Sequence, residues 1–285
     1  SMSLMPEHEL GVFVSFNTDP SSQARSNLIV ALIDHFFPVE HLRPGPEVAI
    51  DLQDYAGQYV PLRSNRSTFE RLGILVNNLA ISVQDDALLV AANSVSRWQA
   101  TAPDRFTARY TDRSMVFERD ENGAIDYLLI GSPLNTFKRV RGLYAPGSIR
   151  LLIVFAVTIA LLAVIGYSYR IFRRAPVQKR LPVRDVFIGW LYALGLLGLN
   201  LQLAQTLSGD VEEFTFGVPL ATHINLLLMN VNILIGVAVI VFSVRQWSTG
   251  VGAFAARTRY SALAVAAIAY TWIAYYFNLI GYLFS

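Results

Sequence analysis

The 285 residues contain no cysteine and only two lysines, Lys138 and Lys179. The first absence excludes disulfides, thiolate nucleophiles and cysteine-based metal sites together. Histidine is scarce as well: His8, His35, His41 and His223 are the four. No two of them stand at ligand spacing and no His-Glu-x-x-His occurs, so no metal or other cofactor is expected. The net charge is +2, and its arginines are dispersed in the first half and gathered at the ends of apolar runs in the second. That pattern argues against nucleic acid as a partner. No cleavable signal peptide is visible, because the polar start lacks a basic segment followed by an apolar core. An exported N-terminal part would be carried out in reverse by the first apolar helix, or by a signal on residues missing from this chain.

Long apolar sequence is what the chain has in abundance. Residues 148–285 hold four runs, at about 150–171, 185–207, 218–244 and 260–284. Each is about 19 residues or longer, enough to cross a hydrocarbon core of about 30 Å as a helix. Four transmembrane helices packed as a bundle are therefore expected, with the lipid bilayer as a partner. The first connection carries Arg170, Arg173, Arg174, Lys179, Arg180 and Arg184, and the third carries Arg245, Arg257 and Arg259. The second has no basic residue but holds Asp210, Glu212 and Glu213. Basic connections stay in the cytoplasm, which places residues 1–147 and the C-terminus outside. Lys138, Arg139, Arg141 and Arg150 pull the other way, but a folded domain ahead of a helix translocates largely regardless of charge. The expected location is a bacterial cytoplasmic (inner) membrane, with residues 1–147 periplasmic.

Ahead of the helices the pattern changes. Residues 9–17 read as one buried strand ending in the turn Asn17-Thr18-Asp19-Pro20. Leu28, Ile29, Leu32, Ile33 and Phe36 then recur at helical spacing until Pro38. One strand and one helix bury no core alone, so residues 1–38 look like the end of a larger domain. Residues 39–47 form a proline-rich linker. In residues 48–142, seven or eight short apolar stretches alternate with turn signals such as Asp85-Asp86, Ala102-Pro103-Asp104 and Asp120 to Gly123. That spacing predicts an antiparallel meander, closed or half closed. Ser67-Thr68-Phe69-Glu70 reads as a capping box opening a short helix. The overall class is α+β.

Two stretches resemble a known family. Pro6-Glu7 and Leu10 to Asn17, followed by a helix ending Phe36-Phe37-Pro38, are similar to the end of the serine β-lactamase-like, penicillin-binding-protein-like hydrolase domain. Asp54 to Tyr59, Arg63, Arg66, Ser67, the turn Asp120 to Gly123 and Phe137 to Val140 resemble the lipocalin-like β domain that follows it in some bacterial members. Some members end in several transmembrane helices, with a pattern like Asn278-Leu279-Ile280-Gly281 in the last. The family's catalysis needs a Ser-x-x-Lys pair. Here Asn135 and Pro176 stand three residues before the two lysines. The resemblance therefore implies a C-terminal portion without catalytic residues, inactive alone, with a missing N-terminal catalytic domain as partner in cis or trans. The competing reading is a free-standing membrane sensor or interaction protein with an extracytoplasmic β domain, whose residues 10–17 pair with another chain. A homo-oligomer stays open in either case.

Asp34-His35 suggests a triad, but no nucleophile elbow accompanies it, and a position on or beside the core face of a helix is the plainer reading. Trp98, Phe106, Tyr110, Phe117 and Tyr127 would either line a lipocalin-like pocket or fill a small barrel, and filling is favoured. Asn200, Gln202, Gln205, His223, Asn225, Asn230 and Asn232 are expected to hydrogen-bond between helices rather than to line a path. Gly189 with Ala193, and Ala262 with Ala266, have the spacing of close helix contacts. Trp190, Trp247, Tyr275, Tyr276 and Tyr282 are read as interfacial anchors.

Overall fold

A computed structural model describes residues 2–6, 9–15, 50–85, 87–91, 95–108, 113–172, 181–208 and 218–280, with isolated positions between 28 and 36. The chain divides into two compact units, residues 1–47 and 48–285. In the first, strand β1 (Met2–Met5) pairs antiparallel with β2 (Leu10–Phe13), Met5 opposite Leu10. The expected single buried strand is thus shorter and belongs to a hairpin. Its side chains alternate between half-buried and exposed, and Leu4 and Phe13 are 62% and 75% exposed. Most of the expected helix and the linker at 39–47 lie outside the described residues.

The second unit opens with a closed antiparallel barrel of eight strands. They are β3 (Gly57–Pro61), β4 (Leu79–Gln84), β5 (Ala87–Ala91), β6 (Val95–Ala102), β7 (Arg105–Ala108), β8 (Ser114–Arg119), β9 (Ile125–Ile130) and β10 (Ser132–Val140). Each pairs with the next in sequence, and β10 closes on β3 with Arg139 opposite Tyr59. Closure removes the two free edges that a meander would otherwise expose. Asp85 and Asp104, in the β4–β5 and β6–β7 turns, both adopt positive φ, which short polar side chains tolerate. Inside, Tyr55, Tyr59, Trp98, Phe106, Met115, Phe117 and Leu128 form one core. Tyr55, Phe106 and Phe117 meet edge to face or tilted, with centroids 4.8–5.4 Å apart. The barrel is filled by its own side chains. Tyr127 instead sits beside Lys138, half-buried. Tyr110 is outside the described residues.

The expected capping box takes a different form. Asn65 Oδ1 accepts from Ser67 N at 3.0 Å and Thr68 N at 3.3 Å, and Glu70 accepts from Asn65 at 2.5 Å. The turn is held by the asparagine, and a 3₁₀ helix, Phe69–Leu75, follows.

Four long helices complete the described chain: α1 (Pro146–Phe172), α2 (Val183–Ser208), α3 (Leu220–Thr249) and α4 (Phe254–Tyr276). α1 packs on α2 and α4, and α3 packs on α2 and α4. Three of them, α1 through α3, are long and apolar enough to cross a membrane. The expected bundle of four such helices is corrected at α4. It begins earlier and stops earlier than the apolar run. Gly250 and Gly252, both at positive φ, precede it, and Asn278 at φ 55° follows its end. It takes in Arg257 and Arg259 at its start, with Arg257 stacked over Trp247 at 4.7 Å. Much of its remainder is alanine, including buried Ala264, Ala266, Ala267 and Ala274.

The barrel and helices share a core. Val60 on β3 and Phe69, Leu72 and Ile74 of the β3–β4 connection are buried in the same cluster as Ile149 of α1 and Ile273 of α4. Polar contacts seal this junction. Gly147 N donates to Gln58 Oε1 at 2.7 Å, and Arg150 donates to Leu75 O. Asn278 Nδ2 donates to Arg66 O at 2.9 Å. A Cβ on Gly147 would displace the Gln58 amide that accepts from its N–H.

Candidate functional site

The barrel–helix junction gathers side chains from three distant stretches. A cleft of about 360 Å³ lies there, lined by β3, the β3–β4 connection, the end of β10, Tyr144 and Tyr276. Val60, Ile74 and Val140 supply apolar lining. Arg66, Arg71, Lys138, Arg139 and Arg141 supply five cations, and no carboxylate lines it.

Several of these cations are held by neighbours that leave their charge unneutralised. Arg139 donates to the carbonyls of Asp54 at 2.8 Å and Ala56 at 2.5 Å. Arg141 donates to Ile125 O at 3.3 Å. The Arg71 guanidinium lies 3.9 Å from the centroid of the Tyr276 ring. Lys138 faces the Tyr127 ring and stands 3.7 Å from Asp126, a half-exposed pair worth little. Among the described residues, no carboxylate forms an ion pair with Arg66, Arg71, Arg139 or Arg141. Beside the cleft, Trp272 and Tyr276 stack at 5.6 Å, with Tyr144 5.4 Å from Tyr276.

A second polar cluster closes the barrel end that contains the β6–β7 turn. Tyr55 donates to Asp104 Oδ1 at 2.8 Å, and Arg119 grips the same carboxylate through Nε and Nη2 at 2.9–3.1 Å. Arg119 also donates to Gly123 O at 2.8 Å. The Arg119 hydrogen bonds hold the Asp104 carboxyl below its ordinary range, against the opposing effect of burial. Burial pushes the Tyr59 hydroxyl up to about 12, and that hydroxyl donates to Tyr55 O. Every member is spent on another, which suits a lock rather than a reaction centre.

The sequence-predicted polar residues of the helices are spread out. Asn200 donates to Leu196 O of its own helix, and His223 Nδ1 lies 3.2 Å from Pro219 O. Gln202 reaches Ala221 O from α2 to α3, and Asn230 reaches Leu279 O. Gln205 is exposed. Asn232 packs where a side chain on Gly195 would stand, and Asn225 Oδ1 is buried without a partner among the described residues. Asp185, read in sequence as the edge of a run, is buried and accepts from Gln246 Nε2 at 3.0 Å. Gly189 and Ala193 are buried as small contact residues, with Gly189 against Tyr260 and Tyr167. Ala266 is buried and Ala262 half-buried. Trp247 and Tyr275 are exposed at helix ends.

His35 is exposed on a helical segment, against Phe36 at 5.2 Å, while His8 and His41 lie outside the described residues. No cluster of metal-ligating side chains occurs among the described residues.

Comparison with protein-family models, with curated proteins and with solved structures finds no match to the chain. Sequence reasoning missed the cleft because its cations are separated by some 70 residues, and each looks like an ordinary surface charge alone.

Proposed function

We propose that this chain is the membrane-anchoring C-terminal portion of a β-lactamase-like serine hydrolase, and that its barrel is a packed platform rather than a ligand carrier. The filled barrel interior carries the second part of this reading. Twelve buried residues make one packed cluster there, as side chains do in a small barrel. The platform is fastened to α1 and α4 by the Gln58, Arg150 and Asn278 contacts. The hydrolase assignment rests on the sequence resemblance. The open hairpin β1–β2 is consistent with it, because a two-stranded sheet with exposed apolar residues is marginal alone and gains from further strands. The basic connections favour a bacterial cytoplasmic membrane with the barrel outside. α4 crosses beside α1 in this reading, since it packs along α1 and its C-terminal end meets the barrel near the start of α1.

The test is the native polypeptide. An antibody against residues 48–142 should detect a band far above the chain's own mass, reactive to a fluorophosphonate probe. The isolated chain should neither label nor hydrolyse a chromogenic β-lactam. A native band of the chain's own size would sink the hydrolase assignment. It would favour the second reading, an interaction protein whose exposed hairpin edge pairs with another chain.

A further inference from the structure

We infer that the junction cleft is a binding site for an anionic phosphate group of the kind a lipid headgroup carries. Its geometry differs from a scatter of surface arginines in three respects. Five cations converge on one cavity that no carboxylate lines. Among the described residues, only Lys138 of the five has a carboxylate beside it, the half-exposed Asp126, and Glu70 accepts from Asn65 and Thr68 instead. Arg139 and Arg141 are anchored on carbonyl oxygens, so they are preset and their charge awaits an anion.

The apolar lining and the surroundings indicate an amphipathic ligand. Val60, Ile74 and Val140 offer apolar contact in the same cleft as the guanidinium groups. Tyr144, Trp272 and Tyr276 stack beside the cleft, at the helix ends nearest the barrel. Tyr and Trp concentrate at headgroup level in membrane proteins. A cleft at that level would meet phosphate groups continuously, each cation adding favourable energy near an anionic surface. The start of α1 has no acidic residue, so nothing there opposes an anion. This inference rests on the reading that the junction lies at a membrane surface.

The full chain in neutral detergent micelles would be mixed with phosphatidylglycerol or phosphatidylcholine and its retained lipid counted by native mass spectrometry. Phosphatidylglycerol should be retained about tenfold better, and the double variant Arg66→Gln/Arg71→Gln should lose that preference. Arg97→Gln, on β6 and paired with Asp85, should keep it. If the double variant unfolds, Arg141→Gln alone should still lower retention about threefold. Excess inorganic phosphate separates the sources: displacement means that a free phosphate suffices, and persistence means that acyl chains contribute. Equal retention of both lipids, or full preference in a folded double variant, would overturn the inference. Retention in micelles does not depend on which side of a membrane the barrel faces. It can therefore fail without the anchoring reading failing, and the reverse holds too.

Discussion

The barrel turns its large side chains inward, and the helical part turns many of its own outward. Tyr59, Phe106, Met115 and Leu128 are fully buried in the barrel. In the helices, Leu151, Val154, Leu162, Ile165 and Leu234 are exposed, while Ala156, Ala160, Ala193, Ala266 and Ala267 are fully buried. Water drives large apolar groups together, so a domain in water hides them. Lipid tails are as apolar as leucine, so helices in lipid associate through small residues that let backbones approach. One chain therefore carries two burial patterns, one suited to water and one suited to lipid. The contrast also explains α4: a helix rich in buried alanine loses hydropathy without losing its place among the others.

Four substitutions would break or sharpen that contrast. Phe106→Ala should cost about 3–5 kcal/mol, because the aromatic core cannot close over the void. Hydrogen exchange of the full chain in detergent should then show the barrel strands opening while the helices stay protected. Gly236→Val should destabilise the helices by about 1–3 kcal/mol. An added Cβ would stand 3.0 Å from Tyr192 Cε2, at a contact between α3 and α2. Thermal unfolding followed by helix circular dichroism would register it, with the barrel little changed.

Asp104→Asn keeps a residue type that tolerates positive φ but removes the charge that Arg119 grips. The loss should be about 1–2 kcal/mol at neutral pH. Because the folded-state carboxyl is held low, its contribution is full above the ordinary Asp range, near about 4, and disappears as pH falls through the depressed value. The variant's barrel should accordingly show a flatter acid limb in denaturant titrations from neutral pH down to about 3. The smallest effect belongs to Asn230→Leu, which removes donors to Leu226 O and Leu279 O. About 0.6 kcal/mol is expected, read as a small shift in detergent unfolding.

Much of the contrast was legible in sequence. Short apolar stretches between Asp-, Pro- and Gly-rich turns place all eight barrel strands, since strand period and turn chemistry are local. Runs without charge locate the helices for the same reason. What escaped depends on contacts between distant residues. β1 is four residues long and is defined by pairing with β2. Asn278 ends α4 through a backbone angle and a bond to Arg66 O that no local pattern announces. Asp185 looked like a boundary because a lone carboxylate usually is one, yet Gln246 from α3 covers it. The cleft needs the barrel closed and docked before its cations meet.

The most direct test of the two-solvent account uses the absence of native cysteine. Single cysteines at Ser114, exposed on β8, and Ser248, exposed near the end of α3, would be placed in the full chain in sealed membrane vesicles. A membrane-impermeant maleimide should label the two positions from opposite faces, with the barrel on one side and the α3–α4 turn on the other. Labelling of both from the same face would contradict a membrane-crossing helical part beneath a water-facing barrel.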